Sequence, residues 1–242
     1  MRDFLKSRLQ KKNRAPPLVC TWDFWHDRQD RAPQSQSQTT TTTAPSIPPP
    51  PPTDQDPATY ETRLVHLAQV SDVKAFWNVF NNFDVLQLPL RDSIHLFHRG
   101  VKPIWEDPRN SRGGCWTFRV PKSIAPEFWK EVCMMAIGEQ LQAAVESDRQ
   151  SFRDDICGVS LAVRFNSLLV QVWNRDAAHE AGVERLKETV VYGVSEGLRP
   201  REGSFYYKRH AEHSAFAAKG KEEGRPETGG TNGSASRPGT AG

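Results

Sequence analysis

In seven places hydrophobic and polar residues alternate with a period of two, or β-branched and aromatic residues run together. These are Leu18–Trp25, Arg63–Gln69, Ser93–Phe97, Cys115–Val120, Val159–Phe165, Leu168–Asn174 and Ser204–Lys208. Each predicts a strand. In the fourth, Trp116, Phe118 and Val120 share one face while Cys115, Thr117 and Arg119 share the other. Asn166-Ser167 separates two such runs and predicts a hairpin. Three stretches repeat at helical spacing instead. Ser71 can cap a helix bearing Val73, Phe76, Trp77 and Phe80. Pro126 suits the first turn of a second helix running to about Ala144, and Val183, Leu186, Val190 and Val194 mark a third over roughly Ala177 to Ser195. Hairpin-connected strands with helices between them imply an α+β domain: one curved antiparallel sheet with helices packed on one face. No glycine fingerprint follows a strand, which argues against a dinucleotide-binding fold.

Two stretches break this pattern. From Arg31 to Ala58 the chain is rich in Gln, Thr, Ser and Pro, with five consecutive prolines at Pro48 to Pro52. It lacks the apolar area to offset ordering entropy and reads as a disordered loop of polyproline II character. Residues 217–242, rich in Gly and Ser, read as a disordered tail. At the other end, residues 1–16 carry Arg2, Lys6, Arg8, Lys11, Lys12 and Arg14 without an apolar stretch, and are expected to be a basic arm, not a secretory signal. The expected domain is therefore 17–216, with the insertion at 31–58.

Composition fits this division. The 242 residues are only 37% hydrophobic, yet include seven tryptophans, as a Trp-rich core diluted by polar attachments would. The formal charge of +3 is too small for a coat over bulk nucleic acid. No run approaches the ~18 apolar residues of a membrane span. Cys20, Cys115, Cys133 and Cys157 lie far apart without metal-ligand spacing, so reduced thiols are expected in cytosol or nucleus, with no metal or cofactor. Catalytic motifs are missing too: no GxSxG, P-loop or HExxH occurs. Asp154-Asp155 reads as a solvated or capping pair, and His95 and His98 as surface or turn histidines. The chain is not expected to be an enzyme.

The informative stretch is Trp105-Glu106-Asp107, preceded by Pro103 and followed by Pro108 and Gly113-Gly114. Those prolines and glycines make it an irregular loop. A loop is a poor place to bury an indole and a good one to present it. An aromatic face beside a carboxylate suits a flat, cationic, hydrogen-bond-donating ligand. A guanine methylated at N7 has all three properties, although burial habits alone favour a structural tryptophan.

The motif WEDxxNxxGGxW from Trp105 to Trp116, together with Trp22, Trp25, Phe76-Trp77, Phe128-Trp129, Gly138-Glu139, Cys157-Gly158, Arg164 and Trp173, resembles the translation initiation factor 4E family of mRNA cap-binding proteins. The resemblance runs from Pro17 to Trp25 and from Tyr60 to about His210. It implies a curved antiparallel sheet with three helices on its convex face and a cap pocket on the concave side. By position it makes Tyr60 and Trp105 the two walls that stack the methylated base. Glu106 would accept the base N1 and N2 hydrogens, the Trp105 backbone N–H would meet O6, Trp173 would contact the methyl group, and Arg164 would bind the triphosphate. On the opposite side, Pro17, Leu18, Val73, Trp77, Glu131, Met134 and Gly138 match positions that bind a Tyr-x-x-x-x-Leu-hydrophobic helix of scaffold or repressor proteins. From spacing alone, Trp77 reads as core; the resemblance makes it the partner anchor. The implied partners are capped mRNA and such proteins, with the chain a cytoplasmic monomer inside a larger complex.

The sequence also departs from the main class of that family. Tyr60 stands where tryptophan is usual, Leu169 where a phosphate-binding lysine falls, and Cys115 where a basic residue supports phosphate contacts. These features, with Trp173-Asn174, resemble the second class, the 4E homologous protein, and imply weaker cap binding. The alternative reading is a protein-interaction adaptor whose cap pocket is weakened or lapsed.

Overall fold

The computed structural model describes residues 15–29, 63–145 and 154–212. The basic arm, the proline-rich insertion, Tyr60 and the C-terminal tail lie outside the described residues, save for Ala15 and Pro16 of the arm. Seven strands form one antiparallel, curved, unclosed sheet in the order β2-β1-β3-β5-β6-β4-β7. They are β1 (Pro17–Asp27), β2 (Leu64–Asp72), β3 (Ser93–His98), β4 (Gly114–Val120), β5 (Ile156–Val163), β6 (Leu168–Asn174) and β7 (Phe205–Arg209). Four α-helices accompany them: α1 (Val73–Phe80), α2 (Ala125–Ile137), α3 (Gln140–Val145) and α4 (Glu180–Gly193). None of the described helices is long and apolar enough to cross a membrane.

The period-two alternation divides the sheet into two faces. Trp22 and Phe24 of β1, Ile94 and Leu96 of β3, Trp116, Phe118 and Val120 of β4, and Val170 and Val172 of β6 enter one large core with Phe76, Phe128, Trp129 and Leu186 of the helices. The odd positions of the same strands face away. Phe97, Cys115, Cys157 and Trp173 form a second cluster there with Val101, and Trp25 packs against it. A sheet with one helix-covered face ordinarily turns a polar face to water. Here the open face has its own apolar centre.

Several expectations are corrected. The cap of α1 is Asp72, whose carboxylate accepts the Ala75 N–H at 2.8 Å; Ser71 still belongs to β2. The long second helix is divided, because Gly138 and Glu139 turn the chain between α2 and α3. Glu139 adopts a left-handed φ of 61°, and a Cβ at Gly138 would stand 2.9 Å from the Met134 carbonyl oxygen. Three expected helices are thus four, on the expected face. His95 and His98 are also not surface residues. Both are buried, and desolvation lowers their pKa values to about 3 and about 4, so both are neutral at pH 7. His95 Nδ1 lies 2.7 Å from Ser160 Oγ of the neighbouring strand β5.

Asp155 is likewise interior and not solvated. Its carboxylate accepts the Asp176 N–H at 3.1 Å, while the Gln142 side chain accepts the N–H groups of Asp155 and Ile156. Burial pushes the Asp155 carboxyl up from 3.8 to about 6. The folded chain therefore holds this proton more tightly than the unfolded one, and stability falls as pH rises through that interval. Asp155→Asn keeps an acceptor for Asp176 and removes the charge. It is expected to raise the Tm at pH 7.5 by about 2–6 °C, with the difference from wild type vanishing near pH 4 in matched thermal melts.

Candidate functional site

Residues 99–113 leave β3, carry Trp105 and Glu106, and return as β4. An irregular segment of this length must find partners for its backbone groups. Asp107 supplies two, its carboxylate accepting the N–H groups of Lys102 at 3.0 Å and Arg109 at 2.8 Å. Asn110 is wholly buried, and its amide donates to the carbonyls of Lys102 at 2.8 Å and Ile104 at 2.6 Å. These bonds close the loop around Trp105 from inside. Both Trp105 and Glu106 remain half-buried.

The rest of the motif completes the brace. Gly113 passes so close to β6 that a Cβ would fall 1.8 Å from the Asn174 carbonyl oxygen. At Gly114 a Cβ would meet the Lys208 carbonyl and the Tyr207 hydroxyl, each at 2.5 Å. Trp116 turns into the helix-side core, and its indole donates to the Val183 carbonyl at 2.7 Å, fixing α4. At one of the motif's variable positions, Arg109 pairs with Asp154, so the other half of the acidic pair also has a structural partner.

The loop stands at one end of the open sheet face, above the second apolar cluster. Trp173 is buried there, with Phe97 edge-on at 5.4 Å between ring centroids. Phe97 can lie across β5 only because of Gly158, whose Cβ would fall 2.3 Å from the Phe97 ring. On the other side of Trp173 lies His210, 4.6 Å between ring centroids. His210 Nδ1 meets the Asn110 carbonyl oxygen at 2.8 Å, and its backbone N–H donates to the Gly113 carbonyl at 3.0 Å. One histidine thus joins the Trp173 wall to the Trp105 loop. Nothing in its sequence surroundings marks it, because its partners are a carbonyl from a distant loop and a ring from a distant strand. The Asn110 position is visible in the motif, but its two acceptors are not.

Burial lifts the Cys115 thiol to about 11 and the Cys157 thiol to about 12, so both are neutral at pH 7. Arg164 sits in the exposed β5–β6 turn, donating to the Val163 carbonyl at 2.9 Å.

Pro17, Leu18, Val73, Trp77, Glu131, Met134 and Gly138 belong to β1, α1 and α2 or its C-terminal cap. The Val73 N–H donates to the Pro16 carbonyl at 3.0 Å, joining the start of β1 to the start of α1. Trp77 is half-buried against Phe76 and Phe80, while Phe76 is full core. Met134 is exposed. Glu131 is occupied locally, because its carboxylate accepts both the N–H and the hydroxyl of Ser195, at 2.7 and 2.6 Å.

A curved, helix-backed antiparallel sheet with a braced Trp-Glu loop over its open face defines a class of ligand-binding folds. The profile of the family described as Eukaryotic initiation factor 4E matches residues 17–224, and the chain belongs to that family. It is 34% identical over 133 residues to the eukaryotic translation initiation factor NCBP of Oryza sativa subsp. japonica, covering 54% of this chain and 55% of that protein. It therefore spans little more than half of that relative. Identity to the eukaryotic translation initiation factor 4E-4 of Caenorhabditis elegans is 30% over 156 residues, 64% of this chain and 68% of that one. Among solved structures, C. elegans eIF4E-3, in complex with the 4E-binding protein Mextli and a cap analog, superimposes with a TM-score of 0.61 at 22% identity, covering 88% of this chain and 98% of that one. Ascaris suum eIF4E-3 in complex with an m2,2,7G cap gives 0.60 at 24%, covering 83% and 94%. At these identities the likeness establishes the fold.

The close approach at Gly113 gives a direct test of the loop closure. Gly113→Ala, which drives a methyl into backbone, is expected to cost about 1–3 kcal/mol in urea unfolding. Gly197→Ala, where nothing lies within 4 Å, is expected to be neutral or slightly stabilising.

Proposed function

We propose that this chain binds the 5′ cap of mRNA as a translation initiation factor of the 4E type, on the open face of its sheet. The observation that carries the reading is the half-buried Trp105-Glu106 pair on a loop braced by Asp107 and Asn110. Tyr60 and Trp105 stack the methylated guanine, whose positive charge strengthens attraction to both π faces. Glu106 accepts the base N1 and N2 hydrogens, Trp173 contacts the methyl group, and Arg164 binds the phosphates. Rigid donors and walls cost less ordering on binding than loose ones, which is the value of tying the loop to Trp173 through His210. The nematode neighbours solved with cap analogues agree with this reading.

The partner surface is the helix-bearing side, where Pro17, Leu18, Val73, Trp77, Glu131, Met134 and Gly138 receive a Tyr-x-x-x-x-Leu-hydrophobic helix. Trp77 suits both structure and recognition, since a half-buried indole offers an apolar edge without leaving the core. The neighbour carrying the 4E-binding protein Mextli supports this assignment. Because Glu131 is held by Ser195, it enters the surface already oriented. The chain acts there in initiation or its repression according to the partner bound.

Tryptophan fluorescence titration with a methylated cap dinucleotide tests the cap reading. Saturable quenching is expected, with unmethylated guanosine triphosphate binding far more weakly; equal binding of the two sinks the reading. Trp105→Ala is expected to weaken cap binding by about 1–3 kcal/mol, the usual value of a base-stacking aromatic. Glu106→Ala is expected to do comparable damage. Trp77→Ala should leave the cap titration intact and abolish capture of a Tyr-x-x-x-x-Leu-hydrophobic peptide.

The adaptor reading has specific support in Leu169 and in the neutral Cys115 thiol. Failure of a methylated-cap resin to retain the wild type, with peptide capture preserved, selects it.

A further inference from the structure

Pairing register says what surrounds the two positions that lack a basic residue. Leu169 of β6 has Arg119 of β4 as its cross-strand partner, and Cys115 of β4 has Lys208 of β7. Direct cross-strand partners share a face, with Cβ atoms about 4.5–5.5 Å apart. Arg119 and Lys208 therefore lie on the open face, beside the residues that carry no charge. The proximity is electrostatic as well: burial raises the Cys115 thiol, and the Lys208 charge acts against it.

The open face runs in three rungs. Gly158, Trp173, Cys115 and Lys208 form the rung nearest the Trp105 loop; Ser160, Gln171, Thr117 and Tyr206 form the next; Ala162, Leu169 and Arg119 form the last. Four residues of strand separate the first rung from the third, about 13 Å. The Arg119 guanidinium lies over the Tyr206 ring, 5.7 Å from its centroid, and Tyr206 is itself exposed. Among the described residues neither Arg119 nor Lys208 forms a salt bridge. Arg209, next along β7, points to the other side and pairs with Glu180.

We propose that Arg119 and Lys208 carry the phosphate contacts absent from Leu169 and Cys115, forming a cationic track along β4 and β7 for the triphosphate and the first nucleotides of a capped RNA, with Tyr206 holding the Arg119 guanidinium in place. This rests on the cap reading above. The charge has moved one strand sideways in the sheet and keeps its distance along it. A planar guanidinium on an aromatic face is pre-organised for a phosphate, and a lysine serves as a point charge. Arg119 is exposed and Lys208 half-buried, and cations facing a polyanion release counterions on binding, so each leaves a signature in the salt dependence.

The test compares 7-methylguanosine monophosphate with the methylated triphosphate dinucleotide, for wild type, Arg119→Gln, Lys208→Gln and the control Arg209→Gln. Each of the first two is expected to weaken the triphosphate ligand ~3- to 30-fold, to leave the monophosphate nearly unchanged, and to lower the slope of log K against log salt by about 1. Arg209→Gln should match wild type. Unchanged triphosphate affinity and salt slope in both variants overturns the proposal while leaving the cap reading standing. A wild type that binds neither methylated ligand overturns the cap reading, and the proposal with it. Equal losses for both ligands overturn it as well, because they would report damage to the base pocket and not a phosphate track.

Discussion

Asn110 has no exposure to solvent, and the presentation of Trp105 and Glu106 depends on it. Loops normally stay at the surface because water satisfies their backbone groups. This one turns its carbonyls inward at Lys102 and Ile104, and a single side-chain amide donates to both. Loss of that amide would leave two inward-facing acceptors without these donors, a larger penalty than the net value of the bonds themselves. The Asn110 backbone carbonyl then accepts from Gly113 at 2.8 Å and meets His210. One residue therefore fixes the loop, its return to β4 and the end of β7.

The two apolar clusters on opposite sides of the sheet follow from the same period-two pattern, and that much is readable in the sequence. Trp116, Phe118 and Val120 separate from Cys115, Thr117 and Arg119 as expected, and the Asn166-Ser167 turn joins β5 to β6. Polar residues whose partners lie far along the chain are not readable in this way. His95 alternates like a solvent-facing residue, yet Ser160 covers it from a strand sixty-five positions away. Asp155 resembles a surface acid until Gln142 and Asp176 enclose it. The start of β5 escapes the pattern for a related reason: the ladder to β6 shifts register between Ile156 and Gly158. A bulge of that kind leaves no periodic trace.

The candidate site is legible in proportion to its dependence on local chemistry. Pro103, Pro108 and Gly113-Gly114 announce a loop, so the neighbouring residues place Trp105 and Glu106 on an irregular segment, and the resemblance is what assigns them a ligand. Tyr60 rests on resemblance and the proline-rich insertion on composition, and both lie outside the described residues. On the helix side, spacing alone favours core for Trp77, and its half-burial against Phe76 and Phe80 is why that description does not exclude a surface role. Its surroundings are shared with the main core, whereas Trp173 belongs to the separate open-face cluster. The sheet separates one from the other, so the proposed ligand face and the proposed partner face do not overlap.

Electrostatics gives that separation a direction. Two groups in the floor of the open face are neutral at pH 7, because burial lowers His95 to about 3 and raises Cys115 to about 11. Three cationic side chains, Arg119, Lys208 and Arg164, stand at its margins. Low-dielectric walls concentrate the field of such marginal charges into the space between them. A net charge of only +3 is then no obstacle to binding a polyanion. Under the proposed cap reading, cations at the rim attract phosphate across an apolar floor that meets the base.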